Sequence, residues 1–242
     1  MKPLVIIPTY NEAENVAHIV GRARRNDVDV LIADDNSPDG TGQLAEELAA
    51  ADPRVQVMHR VGKEGLGKAY LAAFEWGLER DYTHLVEMDA DGSHRPEQLG
   101  RLLNRASEED RPDLVIGSRY VRGGSTVNWP LTRQLLSRGG NLYIRVMLGL
   151  PVNDATAGYR VYRREILEAI GLDTVDATGY YFQTEMTRRV AELGGAIAEV
   201  PVTFVERELG DSKMDQAVFT ESLGRTTRLG LERLLRKLGI RR

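Results

Sequence analysis

Residues 85–94 read Leu85-Val86-Glu87-Met88-Asp89-Ala90-Asp91-Gly92-Ser93-His94. A short apolar run that stops at carboxylates reads as a buried strand whose carboxyl end opens onto a polar turn. In an extended segment residues i and i+2 point the same way, so Asp89 and Asp91 converge there, with Ser93 and His94 just beyond. Oxygen ligands of this kind suit Mg2+ or Mn2+, which commonly share a few carboxylates with substrate phosphates. A solvated turn with an Asp cap for the next helix would look similar, so the setting of the strand has to decide.

The same rhythm extends to both sides of this stretch. Leu4 to Ile7, Val28 to Ala33, Val55 to Met58 and Leu114 to Gly117 are further apolar runs. Helical patterns separate the runs at Ala13 to Arg25, Gly42 to Ala50, Lys68 to Glu79 and Pro96 to Ser107. Strands alternating with helices predict an α/β fold with a mostly parallel sheet flanked by helices. Ligands of such sheets gather at the carboxyl ends of the strands. After Gly117 the pattern changes to a loop through Pro130, a long helix from Leu131 to about Leu148, and turn signals mixed with a short strand over Asn153 to Arg163. Phe182 to Leu193 reads as a helix, Ala196 to Glu206 as a strand or bent strand pair, 207–216 as a polar loop, and the remainder as helical.

The 242 residues contain no cysteine, which excludes a disulfide scaffold and any thiolate metal site. A net charge of −4 argues against a dedicated nucleic-acid binder. No apolar run approaches the roughly 20 residues of a membrane-spanning helix. No linker divides the chain, which predicts one domain over 1–215 followed by a C-terminal helix over 216–242.

Two other segments carry chemistry. Asp34-Asp35-Asn36-Ser37-Pro38-Asp39-Gly40 ends the second strand and nearly fits a calcium-binding EF-hand loop. A strand enters it and Pro38 interrupts it, so it reads instead as a turn presenting carboxylates to a base or sugar edge. Gly62-Lys63-Glu64-Gly65-Leu66-Gly67-Lys68 opens a helix, where backbone N–H groups and lysines can meet a phosphate.

Taken in order, Pro8-Thr9-Tyr10-Asn11-Glu12, the 34–40 turn, Gly65-Leu66-Gly67 and 89–94 resemble glycosyltransferase family 2. Gly117 to Tyr120, Ser137 to Gly139, Thr156 to Arg160, Gly179 to Glu185, Val205 to Arg207 and Ser212-Lys213 resemble its polyprenyl-phosphate (dolichyl-phosphate) mannose synthases. The resemblance covers about residues 3–214. It implies a GT-A-like, Rossmann-like fold and inverting mannose transfer from GDP-mannose to a polyprenyl monophosphate, dependent on Mg2+ or Mn2+. It implies that Pro8, Tyr10, Glu12, Asp35, Asp39, Lys63, Asp89, Gln183, Glu185 and Lys213 bind the nucleotide sugar. Asp89, Asp91 and Ser93 would hold the metal, Ser93 directly or through water. Arg119, Arg133, Ser137, Arg138 and Arg207 would meet the acceptor phosphate, and Asp91, Arg119, Arg133 and Arg207 would carry the reaction. The alternatives are the same reaction with UDP-glucose, or a non-catalytic nucleotide-sugar-binding subunit.

Phe219 to Arg242 holds seven Lys/Arg and two Glu, a net +5. At about 100° per residue, Leu223, Leu231, Leu234, Leu235 and Leu238 share one arc, and most cations lie opposite. This helix either packs its leucines on the domain or lies near anionic headgroups. A lipid acceptor with no membrane span in the chain predicts a peripheral enzyme on the cytoplasmic membrane face, held there by the basic helix or by a membrane-anchoring partner.

Overall fold

The apolar runs become strands of one sheet, four of them inner and the run from Val55 at an edge. The computed structural model describes residues 1–176, 181–206 and 216–239. Its first half alternates as expected: β1 (Pro3–Thr9), α1 (Val16–Ala23), β2 (Asp29–Asp34), α2 (Thr41–Ala51), β3 (Val55–His59), α3 (Leu66–Leu78), β4 (His84–Glu87), α4 (Leu99–Ala106) and β5 (Leu114–Ser118). The second half adds β6 (Ser125–Val127), α5 (Leu131–Leu148), β7 (Arg160–Arg163), α6 (Arg164–Ile170), α7 (Tyr181–Glu192), β8 (Ile197–Pro201), β9 (Thr203–Val205) and α8 (Gln216–Lys237).

Seven strands form the main sheet in the order β3-β2-β1-β4-β7-β5-β8, and β6 pairs with β9 in a small second ribbon. Helices cover both faces, so nearly all successive residues of β1, β2, β4 and β5 are buried and these strands read as unbroken apolar runs. Leu4, Ile6, Leu31 and Leu85 face Tyr70 and Phe74 of α3 and Phe182 and Met186 of α7. Val5, Ile7, Val30 and Val86 face Ile19 and Val20 of α1 and Leu99 and Leu102 of α4. Gly77 lets α3 lie directly on β4, since a Cβ there would sit 2.6 Å from Leu85 Cδ2.

Among the described strands β7 alone is antiparallel to its neighbours, β4 and β5, between which it lies. Its sequence, Arg-Val-Tyr-Arg, conceals this central place because Arg160 would ordinarily mark an exposed edge. Arg160 is nevertheless fully buried. Its guanidinium donates to the carbonyls of Ala155, Ala157 and Gln183 and to the hydroxyls of Tyr162 and Thr187. Donors satisfied in this way remove most of the penalty of burying the group.

The strand order reverses direction between β1 and β4, and an open sheet of this kind forms its ligand crevice at that switch. The crevice therefore lies between the 8–12 turn and the Asp89–His94 turn. Among the described residues no helix is long and apolar enough to cross a membrane.

Candidate active site

The carboxyl ends of β1 and β2 are tied together by Asp34. Its carboxylate accepts hydrogen bonds from Thr9 Oγ1 (3.0 Å), Ser37 Oγ (2.6 Å) and Ser37 N (3.1 Å). Asn11 and Asn36 both adopt the left-handed conformation, φ 57° in each, which asparagine tolerates better than most residues. The expected nucleotide residues divide into two groups here. Tyr10 and Lys63 come together, with Lys63 Nζ 4.3 Å from the Tyr10 ring centroid. Asp35 and Asp39 are engaged with the protein. Asp35 forms a buried ion pair with Arg60. Asp39 accepts from Thr41 N, Thr41 Oγ1 and Ala13 N, linking the start of α2 to the turn before α1. Burial works against the Asp39 anion, but those hydrogen bonds hold its carboxyl below the ordinary value. Glu12 accepts from Asn15 Nδ2 at 2.8 Å, and Pro8 stands near the end of β1.

Beyond β4 the acidic turn is organised from behind. Tyr70 of α3 donates its hydroxyl to Asp89 at 3.0 Å, and Ser93 N donates to Asp91 at 3.0 Å. Asp89 N donates to His94 Nδ1 at 3.0 Å, so Nδ1 is an acceptor and the ring proton belongs on Nε2. The 3.7 Å approach of Nδ1 to Asp89 Oδ2 is therefore no ion pair. Ser93 is buried, and its hydroxyl has no hydrogen-bond partner. Two carboxylates with an unused hydroxyl beside them fit a hard cation that takes its other ligands from a diphosphate and water. They do not form a closed protein cage, and no group of three or more acidic, His or Cys side chains suited to a metal occurs among the described residues.

Beneath this turn lies Glu87, which sequence reading passed over as part of a strand. It is fully buried and accepts from Gln183 Nε2 at 2.6 Å. Gln183 thus points into the sheet at Glu87. Burial pushes the Glu87 carboxyl up to about 8, against the pull of Arg160. A carboxyl raised in the fold keeps its proton where the unfolded chain has lost it. Stability therefore falls as pH rises from about 4.5 to about 8 and levels off above. Glu87→Gln is expected to flatten this slope, measured as melting temperature against pH in metal-free buffer. An unchanged slope would assign it to other groups.

Glu185 faces Arg188 and Arg189, at 2.7 and 2.8 Å. Burial opposes its charge, yet the hydrogen bonds from these arginines hold its carboxyl below the usual value. That environment suits a fixed anion rather than a proton acceptor near neutrality.

The residues expected to meet the acceptor, Arg119, Arg133, Ser137 and Arg138, lie in one neighbourhood with Tyr120 and Trp129. Tyr120 OH donates to Ser137 Oγ at 2.6 Å, and Arg138 lies 5.6 Å from the Tyr120 ring. Arg133 is ion-paired with Glu206 and stacks 4.1 Å above the Trp129 ring. Arg119 is buried and engaged elsewhere. Its N, Nε and Nη2 donate to Asp154 at 2.9, 2.7 and 2.6 Å, and Nη2 also reaches Thr156. Asp154 has no exposed surface. The guanidinium edge is thus held by a carboxylate of the same chain, and any contact with a phosphate would come through what remains of it.

An aromatic chain joins the two halves of the site. Tyr159 stacks on His94, His94 meets the edge of Phe204, and Phe204 meets Trp129, with centroids 5.2–5.7 Å apart. Asp154, Trp129 and Phe204 thus join the candidate site, although sequence reading did not assign them. Trp129-Pro130 at a loop end was the available signal, since a large aromatic on a loop needs something to cover. Arg207, Lys213 and the Gly179-Tyr180 part of the quoted motif lie outside the described residues.

Residues 4–171 match the family described as Glycosyl transferase family 2. The chain belongs to that family. This glycosyltransferase is 55% identical over 246 residues to the Undecaprenyl-phosphate mannosyltransferase of Micrococcus luteus, covering 99% of this chain and 100% of that one. It is 54% identical over 243 residues to the Polyprenol monophosphomannose synthase of Mycolicibacterium smegmatis, covering 99% and 91%. Among solved structures it resembles a mannosyltransferase from Pyrobaculum calidifontis in complex with GDP-Man and Mn2+. The TM-score is 0.60 at 18% identity, and the match covers 97% of this chain and 64% of that one. It also resembles S. aureus TarS, with TM-score 0.62, 18% identity, and 97% and 66% coverage. These structural likenesses establish the GT-A-like fold expected of the sequence.

Proposed function

We propose that this glycosyltransferase moves mannose from GDP-mannose to a polyprenyl monophosphate, with inversion, as a peripheral enzyme on the cytoplasmic face of the membrane. The observation that carries the reading is the 55% identity, across essentially both whole chains, with a relative named for mannosyl transfer to undecaprenyl phosphate. The site geometry agrees with it, since an acidic turn and a set of arginines stand on either side of the Phe204–Trp129 pair.

In the proposed reaction an oxygen of the acceptor phosphate forms a bond to the anomeric carbon of mannose. The bond from that carbon to the diphosphate breaks, and GDP leaves with the electron pair. The attacking oxygen is already anionic near neutrality, so no residue has to remove a proton, which agrees with Glu185 being fixed as an anion. The obstacle is electrostatic, because two like charges about 4 Å apart repel by about 4 kcal/mol at an effective dielectric of 20. Asp89 and Asp91 would hold a divalent cation, which when bound supplies charge neutralisation to the leaving diphosphate. Arg133 and Arg138, with Ser137 between them, would receive the acceptor phosphate through planar donors suited to it. Tyr10 and Lys63 would meet the nucleoside diphosphate from the opposite wall.

Purified protein incubated with Mg2+ or Mn2+, a short polyprenyl phosphate and labelled GDP-mannose is expected to move label into organic solvent. Transfer from labelled UDP-glucose instead would replace the donor. No transfer from either would leave a nucleotide-sugar-binding subunit.

A further inference from the structure

Leu131, Leu135, Leu142 and Val146 on α5 are 59–75% exposed. Their spacing places them in one stripe along the helix, turned away from the buried Asn141 and Leu148. Arg138 and Arg145 border one side of the stripe. Arg145 donates to Asn153 and Arg138 lies near the Tyr120 ring, and neither meets a carboxylate among the described residues. The sequence of α5 contains three arginines and no acidic residue.

The other side of the stripe is continued by α8. Thr227 meets Tyr143 (2.7 Å between hydroxyls), Gly230 lies against Met147, and Arg233 against Gly149. The contacts advance in the same order along both helices, so the two run parallel. Gly230 and Gly149 let the larger Met147 and Arg233 lie against the facing helix, a Cβ on Gly230 lying 2.6 Å from Met147 Cε. Leu229 of α8 packs against the core, while Leu223, Leu231, Leu234 and Leu238 do not. In right-handed parallel helices joined at this seam, Leu223, Leu231, Leu234 and Leu238 rise on the same side as the α5 stripe. All four are exposed, by 44–68%, and Arg228 stands exposed at the far edge. Eight aliphatic side chains thus make one face with arginines along its rim. Exposed apolar patches of several hundred Å2 with a polar rim mark interaction surfaces.

We propose that this α5/α8 face docks on the surface of an anionic phospholipid bilayer, with its leucines at the headgroup–acyl boundary and its rim arginines among the phosphates. The charge of the rim selects this occupant. A second copy would bring the same uncompensated cations together, whereas lipid phosphates neutralise them. Ser137, Arg133 and Arg138 belong to the same helix, so docking sets the acceptor cluster at headgroup level. The proposal rests on the lipid-acceptor reading for its role and on the exposed face for its evidence.

Vesicle flotation without donor or polyprenyl phosphate tests it. The protein is expected to float with phosphatidylcholine vesicles containing phosphatidylglycerol, and at least about tenfold less with phosphatidylcholine alone or at high salt. Leu135→Glu with Leu142→Glu is expected to reduce flotation on the anionic vesicles by about tenfold or more, at unchanged melting temperature, and Val146→Asp provides a second variant on the same face. The double variant should still transfer to a water-soluble short-chain acceptor at the wild-type rate. Wild-type protein that stays unbound with anionic vesicles, variants that float like wild type, or a wild-type dimer on gel filtration that the double variant splits would each overturn the proposal. Intact flotation with no mannosyl transfer would instead refute the proposed reaction and leave the docking face standing.

Discussion

Asp91→Asn is expected to lower glycosyl transfer by about a thousandfold while leaving the fold intact. The substitution keeps an oxygen for the Ser93 N–H, which now donates to Asp91 Oδ1 at 3.0 Å, so the turn retains its geometry. It removes one of the two carboxylates proposed to hold the cation. If the cation leaves or binds weakly, the leaving diphosphate and acceptor phosphate face each other with their repulsion unscreened. About 4 kcal/mol of such repulsion corresponds to roughly three powers of ten in rate. Turnover at saturating Mg2+ or Mn2+, alongside the thermal melting of the same sample, checks this. Wild-type turnover from a folded variant would sink the metal assignment of the Asp89–Asp91 pair.

The second large effect concerns stability. Asp154→Ala leaves the buried Arg119 guanidinium without its carboxylate, and breaking a buried pair from one side costs about 3–5 kcal/mol. For a chain of this size that is a fall of roughly 10 °C in melting temperature. Replacing both members with apolar residues, Arg119→Met with Asp154→Leu, should recover much of the loss, because no uncompensated charge then remains. The double variant also decides what Arg119 is for. If its role is confined to fixing Asp154 and the Ser118–Tyr120 backbone, transfer recovers with stability. If Arg119 also meets the acceptor phosphate, stability returns and the acceptor KM stays raised. A double variant no more stable than Asp154→Ala would contradict the ion-pair account.

Much of this molecule could be read from the chain. The strands β1 to β5, the four helices between them and the whole of α5 follow from apolar periodicity and turn residues, and Leu131 to Leu148 matches the expected span. The placement of β7 could not be read, because strand order depends on pairing between distant segments and Arg160 disguises a central strand as an edge. The site shows the same division. Asp89 and Asp91 follow β4, which ends at Glu87, in the polar turn expected after that strand. Gln183 belongs to the motif that resembles the family, yet its side chain is directed to Glu87, 96 residues away. The leucine arc of α8 was visible on a helical wheel, but whether it faced the domain or solvent was set by Gly230 against Met147.

The opening stretch, Leu85 to His94, determined by itself that a buried strand ends in paired carboxylates, because strand periodicity and turn chemistry are properties of neighbouring residues. The same holds for the alternation that yields a parallel sheet. Tertiary structure alone decided which charges are paired within the protein and which remain open to a ligand. Arg119 is taken up by a carboxylate 35 residues away, while Arg138 and Arg145 meet none among the described residues. Nothing local to an arginine distinguishes these outcomes. The partner is supplied by whichever segment the fold brings within hydrogen-bond reach, and a buried charge persists only where that partner is present.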